Sequence, residues 1–351
     1  MKEFKNFIIT IALTLVMSLA ILIIASCIFI PKWTNHDGNM MTYIIKGFYE
    51  EPKNSLDIVF LGNSDVYRGV SPMELYNQTG ITSYNFVSAG QRMWITYPMF
   101  EEVLKKQNPK MIFLNVDAVF FTSNASTGNY HKVYDQMPLS KTKIAGVYDE
   151  NYELEDDTKL KHFLPIITYH NRYGELTDDD FKYAFYKSPN PTKGMDLVAI
   201  KSPYISETNY MEYTDEIASI PEKSKKYLDK MTELCAKNNI EFVLFEIPSA
   251  DSWNYKKSNA IRIYAEENNL RFIDLNYEEA LDNMEFDWQT DTSDGGDHLN
   301  IFGAEKVTTY LANYLKENYE FVNHKEDEKY SYWNEQYKEY LKIKAYELEN
   351  N

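Results

Sequence analysis

Two short polar segments carry residues whose types and spacing could do chemistry. In the first, Ser64 lies in a Gly-Asn-Ser-Asp turn that directly follows an apolar run at residues 56–61. In the second, residues 291–300 read DTSDGGDHLN and contain Asp294, Asp297 and His298. A neutral imidazole can take the proton of a hydroxyl group, and a carboxylate can fix the tautomer of that imidazole. Together the segments indicate nucleophilic attack by a serine on an acyl group.

Each segment also has a purely structural interpretation. Asn63 and Ser64 are residue types that cap the beginning of a helix. Residues 291–300 could form an Asx-rich turn, whereas their spacing departs from that of an EF-hand calcium loop. Between the two acids, Asp294 is the one we expect to orient His298. The side chain of Asp297, the adjacent residue, tends to point away from the ring.

The rest of the chain predicts the elements that must position these residues. Short apolar runs predict strands at residues 56–61, 82–87, 111–116, 241–247 and 271–275. Amphipathic segments predict helices at residues 72–77, 97–106, 221–238, 260–268 and 303–315. Continuous apolar strands separated by helices are typical of a parallel sheet that is covered on both faces. We therefore predict an α/β fold, a three-layer α/β/α arrangement around a parallel five-stranded sheet.

This pattern divides the chain into regions. Residues 31–54 are expected to be a linker, and residues 55–320 the main domain. Within it, residues 121–209 break the strand–helix alternation and are expected to form an inserted cap. In residues 321–351, apolar side chains recur every three to four positions among many charges, which predicts a C-terminal helix that docks on the body or on a neighbouring molecule.

The first thirty residues predict a membrane anchor. Residues 7–30 contain no charged side chain, and about 20 apolar residues suffice to cross a bilayer. Lys2 and Lys5 precede this run, so the positive-inside rule places the N-terminus in the cytoplasm and the remainder outside the cell membrane. A cleaved signal peptide and a lipoprotein signal ending at Cys27 are the alternatives.

Composition excludes other classes of protein. The formal net charge is -17, whereas proteins that bind nucleic acid need a basic surface. The same charge argues against electrostatic docking on anionic lipid. With only two cysteines the chain has no disulfide framework and no zinc-type cysteine pair. No metal and no cofactor is expected.

Taken together, the two segments resemble the SGNH (GDSL-type) hydrolase superfamily, whose sheet is flavodoxin-like. The resemblance implies that Ser64 is the nucleophile, His298 the base and Asp294 its orienting acid. It also implies an oxyanion hole formed by the backbone N–H groups of Ser64 and Gly90. The family's Gly-x-Asn-Asp block is absent, and the third strand reads Leu114-Asn115-Val116-Asp117 instead, so Asn115 is the candidate for a third donor.

An anchor followed by such a domain resembles the cell-envelope branch of that superfamily. This branch includes the teichoic acid D-alanyl transfer protein and the alginate O-acetylation proteins. The resemblance implies a serine esterase or O-acyltransferase that acts on acyl esters of envelope polysaccharide or teichoic acid, beside a multispanning membrane acyltransferase. The alternative is an inactive scaffold with the same fold that binds glycan or that membrane partner.

Four further residues are candidates for contacts with an acceptor. Arg68 could bind a phosphate or carboxylate, and Trp253 could stack on a sugar ring. His170 and Arg172, in the insertion, could line the acceptor cleft. Each also has a structural interpretation, as an ion pair or as ordinary packing.

Overall fold

Five parallel strands form the centre of the molecule. The computed structural model describes residues 1–32, 40–153, 158–187 and 190–350. Its sheet has the order β2-β1-β3-β4-β5, and every neighbouring pair is parallel. The α/β prediction with a parallel five-stranded sheet is therefore confirmed. The strands are β1 (Ile58–Leu61), β2 (Ser83–Asn85), β3 (Met111–Asn115), β4 (Glu241–Glu246) and β5 (Arg271–Asp274).

Helices connect and cover these strands. In the described residues they are α1 (Lys2–Phe29), α2 (Met40–Glu50), α3 (Ser64–Gly69), α4 (Pro72–Thr79), α5 (Met93–Lys106), α6 (Thr127–Tyr134), α7 (Lys141–Val147), α8 (Ile166–Tyr169), α9 (Asp178–Phe185), α10 (Glu222–Lys237), α11 (Tyr255–Glu267), α12 (Glu278–Asn283), α13 (Ile301–Asn318) and α14 (Ser331–Asn350). Short 3₁₀ turns occur at Asp117–Phe120, Lys159–His162, His170–Gly174 and Glu328–Tyr330.

The helices lie in layers on the two faces of the sheet. The chain moves from β1 to β2 in one direction and then from β2 through β5 in the other. Because such crossovers are right-handed, α3 and α4 cover one face, and α5, α10 and α11 cover the opposite face. Consistent with this, α13 packs on α3 and α4, while α10 packs on α5. The central strands are buried on both sides, which explains their continuous apolar sequences.

The segment that we expected to be a linker contributes to the core. Within residues 31–54, α2 buries Ile44, Ile45 and Phe48 completely. The Phe48 ring stacks on Phe86 with centroids 3.9 Å apart, and the hydroxyl of Tyr84 donates to the Ile44 carbonyl at 2.7 Å. The linker interpretation is therefore wrong for Met40–Glu50, because this helix fills a space beside β2. Residues 33–39 lie outside the described part of the chain.

Both ends of the chain form long helices. At the C-terminus α14 buries Trp333 and Tyr340, and the Lys344 ammonium lies 3.0 Å from the Glu74 carboxylate on α4. At the N-terminus α1 is the one helix, among the residues described, that is long and apolar enough to cross a membrane. Its most apolar 18-residue window has a mean hydropathy of 2.9 and is not buried by the protein.

Candidate active site

Ser64 is held in a tight turn between β1 and α3. Gly62 adopts a φ of +146°, and a side chain there would lie 2.7 Å from the Asn115 Cβ, so only glycine fits. Asn63 caps α3, since its side-chain oxygen accepts from the Asp65 backbone N–H at 3.0 Å. Ser64 is thereby placed at the carboxyl end of β1, half-buried, with the hydroxyl of Tyr67 nearby. Burial raises the pKa of Tyr67 to about 12, so this hydroxyl stays neutral.

His298 lies in the loop before α13, where two acids face one nitrogen of its ring. The Asp294 carboxylate is 2.6 Å from Nδ1, and its other oxygen accepts from the His298 backbone N–H at 2.7 Å. The Asp297 carboxylate is 3.2 Å from the same Nδ1. Asp294 is therefore the nearer partner and holds the ring at two points. The ring itself is 21% exposed.

The charges around this loop set the protonation of the imidazole. Burial lowers the pKa of His298, but its hydrogen bond to Asp294 and the negative charges of neighbouring carboxylates outweigh burial, so the net pKa is raised. Burial raises the pKa of Asp294, yet the hydrogen bonds from His298 outweigh that effect and the pKa is lowered. Burial raises the pKa of Asp297. Asp294 is therefore the acid that stays ionised most readily beside Nδ1.

The two polar segments, residues 62–65 and 291–300, meet at the other ring nitrogen of His298. Nε2 of His298 lies 3.9 Å from the carboxylate of Asp65, the residue directly after Ser64. Asp65 is 2% exposed, and one of its oxygens has no hydrogen-bond partner. Burial, followed by the nearby charge of Asp117, raises its pKa to about 8. Sequence reasoning did not assign a role to Asp65, although its position after the serine was a signal.

Two more buried acids surround the turn. Asp117 accepts from the Lys257 ammonium at 2.9 Å and from the Asn63 amide at 3.3 Å. Burial raises the pKa of Asp117 despite the lysine. Glu246, at the end of β4, is fully buried, and burial together with the charges of Asp65 and Asp117 raises its pKa well above the ordinary value. The site therefore lies against three buried carboxyl groups whose pKa values are all raised, chiefly by burial.

Asn115 does not offer its amide to an oxyanion. Its Nδ2 donates to Glu246 at 3.0 Å, and the residue is completely buried. β3 and β4 are neighbours, so the side chain at the end of β3 finds the acid at the end of β4. The assignment of Asn115 as a third oxyanion donor is therefore wrong, because its donor is occupied within the core.

A different amide lies beside Gly90. This glycine has a φ of +54°, and a side chain there would lie 2.9 Å from Nδ2 of Asn129. Asn129 belongs to α6 in the insertion and is half-buried. The Gly90 carbonyl accepts from Arg92 at 2.6 Å, and Arg92 is tied to the Ser123 carbonyl at 2.8 Å. The insertion thus supplies a side-chain amide next to the predicted oxyanion residue, which the sequence pattern did not reveal.

Most of the residues predicted to contact an acceptor instead bond to other groups of the protein. The Arg68 guanidinium forms an ion pair with Asp196 at 2.9 Å, although its charge also lowers the pKa of Asp294. Trp253 is 2% exposed, and its indole donates to Asp274 at 3.0 Å, so its predicted role as a sugar-stacking surface is wrong. Arg172 bonds to the Phe29 carbonyl at 2.5 Å.

His170 and Arg172 belong to a turn that contacts α1. His170 is exposed, and its Nδ1 lies 3.0 Å from the Ile167 carbonyl. Arg172 also reaches Asp180 at 3.3 Å. This part of the insertion packs on the N-terminal helix, and the role of the two residues in an acceptor cleft stays a prediction.

Two groups among the described residues have donors close enough to hold a metal ion. In the first, the Asp135 carboxylate lies 2.8 Å from Nδ1 of His131 and 2.7 Å from Nδ1 of His162. These are hydrogen-bond distances, and they satisfy the carboxylate without an ion. Burial raises the pKa of Asp135, but the two histidine hydrogen bonds outweigh it and the pKa is lowered. The second group, Asp65, Asp297 and His298, is the acid–base site itself.

No family model matches the chain, and no curated protein sequence matches it. Among solved structures, it is similar to a protein from Bacteroides fragilis NCTC 9343 that is assigned by inference as an acylhydrolase. The identity is 13% and the TM-score 0.38, over 81% of this chain and 99% of that one.

A second similar structure is a GDSL-like lipase from Bacteroides thetaiotaomicron VPI-5482. The identity is again 13%, with a TM-score of 0.35 over 74% of this chain and 87% of the lipase. A third is a protein from Desulfitobacterium hafniense DCB-2 that is assigned by inference to lipolytic proteins of the G-D-S-L family. It is 11% identical, with a TM-score of 0.36 over 73% of this chain and 97% of that one.

Proposed function

We propose that this chain is a serine-dependent esterase or O-acyltransferase of the SGNH type, with Ser64 as nucleophile, His298 as base and Asp294 as orienting acid. The observation that carries the proposal is the meeting of two distant segments. The Ser64–Asp65 turn comes from one end of the sheet-forming region, and the imidazole that faces it comes from the other. Asp294 lies at the other nitrogen of that imidazole, so a nucleophile, a base and an acid that orients the base are all present.

The proposed mechanism begins with a rotation of the Ser64 hydroxyl. It turns toward Nε2 of His298 as substrate binds, since catalytic hydrogen bonds often tighten only in the complex. Nε2 takes the hydroxyl proton while the serine oxygen bonds to the ester carbonyl carbon. The backbone N–H groups of Ser64 and Gly90 stabilise the resulting oxyanion. Its collapse expels the alcohol, which takes the proton from His298 and leaves an acyl-serine.

The second half of the reaction regenerates the serine. Water, or a hydroxyl of an acceptor, loses its proton to Nε2 and attacks the acyl-serine carbonyl. The bond between the carbonyl carbon and the Ser64 oxygen then breaks, and that oxygen takes the proton back from His298, which releases the acid or the new ester. An esterase uses water, whereas an O-acyltransferase uses the hydroxyl of an envelope glycan or teichoic acid. We propose that α1 holds the domain on the outer face of the cell membrane, where such polymers and a multispanning acyltransferase partner are accessible. The length and composition of α1 support this location.

A fluorophosphonate probe tests the nucleophile. Full-length protein should be labelled covalently, and the Ser64→Ala variant should not, with an unchanged thermal melt. Ser206→Ala is the matched control, because Ser206 is an exposed serine whose hydroxyl bonds only within its own loop. Labelling that persists in Ser64→Ala would remove Ser64 from the mechanism.

An inactive scaffold is the second candidate, and one observation favours it. The side chain that would occupy the third oxyanion position, Asn115, is turned into the core toward Glu246. A folded protein that resists the probe and turns over no acyl ester, yet binds an envelope glycan, would support the scaffold.

Location is tested separately with introduced cysteines. Ser206→Cys should react with an impermeant maleimide on intact cells, and Lys2→Cys should react only after lysis. The native Cys235 is buried and Cys27 only partly accessible, so background labelling should be low. The reverse pattern would overturn the proposed topology, and release of a shortened soluble protein would indicate cleavage.

A further inference from the structure

The insertion packs against the last turns of α1. Residues 2–24 of the helix are exposed, whereas residues 25–30 are half-buried or buried. The side chain of Ser26 accepts from the Ile166 backbone N–H at 3.2 Å, and Arg172 donates to the Phe29 carbonyl. Helices α8 and α9 both pack against α1. Protein therefore surrounds the end of the helix, and solvent or lipid surrounds the rest.

The exposed part of α1 has the length of a bilayer core. Its uncharged exposed run, from Phe7 to Ile24, comprises 18 residues. At 1.5 Å per residue this run is about 27 Å long, against about 30 Å for the hydrocarbon thickness of a typical bilayer. If α1 crosses the membrane, the hydrocarbon region ends near residue 24. The part of the insertion that surrounds residues 25–30 must then lie at the level of the lipid headgroups.

This part of the insertion exposes large apolar and aromatic side chains. We call residues 166–186 the collar. Its exposed members are Ile167, Tyr173, Phe181, Phe185 and Tyr186. Phe181 and Phe185 are four residues apart on α9, so they share one face of that helix. Phenylalanine and tyrosine rings are favoured at the boundary between lipid and water, where Tyr presents an apolar body and a polar tip.

We propose that the collar is a membrane-interface surface, and that its aromatic side chains enter the outer lipid leaflet around the base of α1. The inference rests on the membrane anchoring proposed above. The occupant is lipid rather than another protein because the collar is continuous with the exposed apolar surface of α1. The attraction is apolar rather than electrostatic, since α9 begins with Asp178, Asp179 and Asp180.

The collar would fix how the catalytic domain stands on the membrane. A single helix lets a domain swivel, whereas a second contact beside that helix removes this freedom. α6 packs on α2 and begins with the segment that places Asn129 against Gly90. The insertion thus extends from the collar to the candidate active site, and it would hold that site at a defined height above the lipid surface.

Quenching by spin-labelled lipid tests the collar. Full-length protein, with Cys27→Ser and Cys235→Ser, is placed in nanodiscs of phosphatidylcholine and labelled with an environment-sensitive fluorophore at Tyr186→Cys. The matched control is a label at Tyr213→Cys, since Tyr186 and Tyr213 are 70% and 69% exposed and Tyr213 lies outside the collar. We expect doxyl-phosphatidylcholine to quench the label at position 186 several-fold more strongly than the one at position 213. Addition of anionic lipid or salt should leave this difference unchanged.

The outcomes distinguish failure of the collar proposal from failure of the proposed membrane anchoring. If the protein does not enter nanodiscs, membrane anchoring fails and the collar proposal fails with it. If the protein enters nanodiscs but both labels are quenched equally, the collar proposal alone is overturned. Fluorescence at position 186 that changes with protein concentration instead of with lipid would indicate a second copy as the occupant. In Phe181→Ser/Phe185→Ser, incorporation should persist through α1 while quenching at position 186 falls to the control level.

Discussion

Replacing the two acids beside His298 one at a time tests the arrangement of the site most directly. Asp294→Asn keeps the shape of the side chain but removes the negative charge 2.6 Å from Nδ1. It also favours the wrong tautomer, because an amide can donate where the carboxylate only accepts. Loss of the equivalent acid in a serine protease lowers kcat by about 10⁴. That figure is the upper bound for this site.

The structure indicates a smaller loss for the single variant. Asp297 lies 3.2 Å from the same nitrogen and can accept the Nδ1 proton when Asp294 is neutralised. Burial raises the pKa of Asp297, so it is the poorer substitute. We therefore expect a loss of ~10²–10³ for Asp294→Asn, which corresponds to about 3–4 kcal/mol of transition-state stabilisation. Asp297→Asn should cost no more than about twofold, because Asp294 still holds Nδ1 in that variant. The double variant should lose about 10⁴, more than the product of the single losses.

The assay measures kcat and KM on a generic acyl ester from pH 5 to 9, with thermal melts as the check on folding. His298 must be neutral to act as a base, so activity is lost as pH falls through its raised pKa. Removing Asp294 removes an interaction that raises that pKa, so the acid limb should move to lower pH while the maximum falls. A purely structural role would not move the limb. The reasoning is refuted if Asp297→Asn is the more damaging change, or if the two losses multiply independently.

Three further predictions concern neighbouring residues. Gly90→Ala should lower the melting temperature and kcat together, since its φ is positive and the added methyl meets Asn129, at a cost of about 1 kcal/mol or more; an unchanged melt would contradict this. Asn129→Ala should lower kcat by roughly 10² with little change in KM or stability if its amide serves the oxyanion, as steady-state kinetics would show. In Asp65→Asn the loss of stability between pH 4 and 8 should be reduced, because over that range the wild-type carboxyl ionises in the unfolded chain while its folded pKa of about 8 keeps it protonated in the fold. Melts of this variant and the wild type should therefore differ more at pH 9 than at pH 5.

The sheet was predictable because its signal is local. Residues such as Ile58, Val59 and Phe60 are apolar without interruption, as strands buried on both faces must be. Helix α2 was missed for the opposite reason. Ile44, Ile45 and Phe48 occupy one helical face, but the segment is short and follows a polar stretch. Its place in the core depends on contacts with Tyr84 and Phe86, which no local pattern encodes.

The candidate site likewise contains residues that local spacing indicated and residues whose positions depend on long-range contacts. The turn at Ser64 and the Asp294–His298 pair come from short spacings. In the structure Asn63 caps α3 at that turn, and Asp294 lies 2.6 Å from Nδ1 of His298. The position of Asn115 depends on which acid the neighbouring strand supplies, and the sequence of β3 does not reveal that Glu246 ends β4. Asn129 is 39 residues from Gly90 in the sequence and meets it only through the fold of the insertion. Residues that work through long-range contacts are therefore the ones that sequence reasoning missed.

Because buried acids surround Ser64, the proposed mechanism requires that Asp65 be protonated, in addition to the Ser64–His298–Asp294 triad. An ionised Asp65, 3.9 Å from Nε2 of His298, would hold a proton on that nitrogen and prevent it from accepting the serine proton. A protonated Asp65 leaves the lone pair free. Burial and the charge of Asp117 keep the pKa of Asp65 at about 8, so near neutral pH the carboxyl does not compete with Ser64. Burying such acids is unfavourable for folding, and groups of this kind persist mainly where function uses them. In this mechanism, the burial of Asp65 destabilises the turn at Ser64, but it also keeps Asp65 protonated and so leaves Nε2 of His298 free to accept the serine proton.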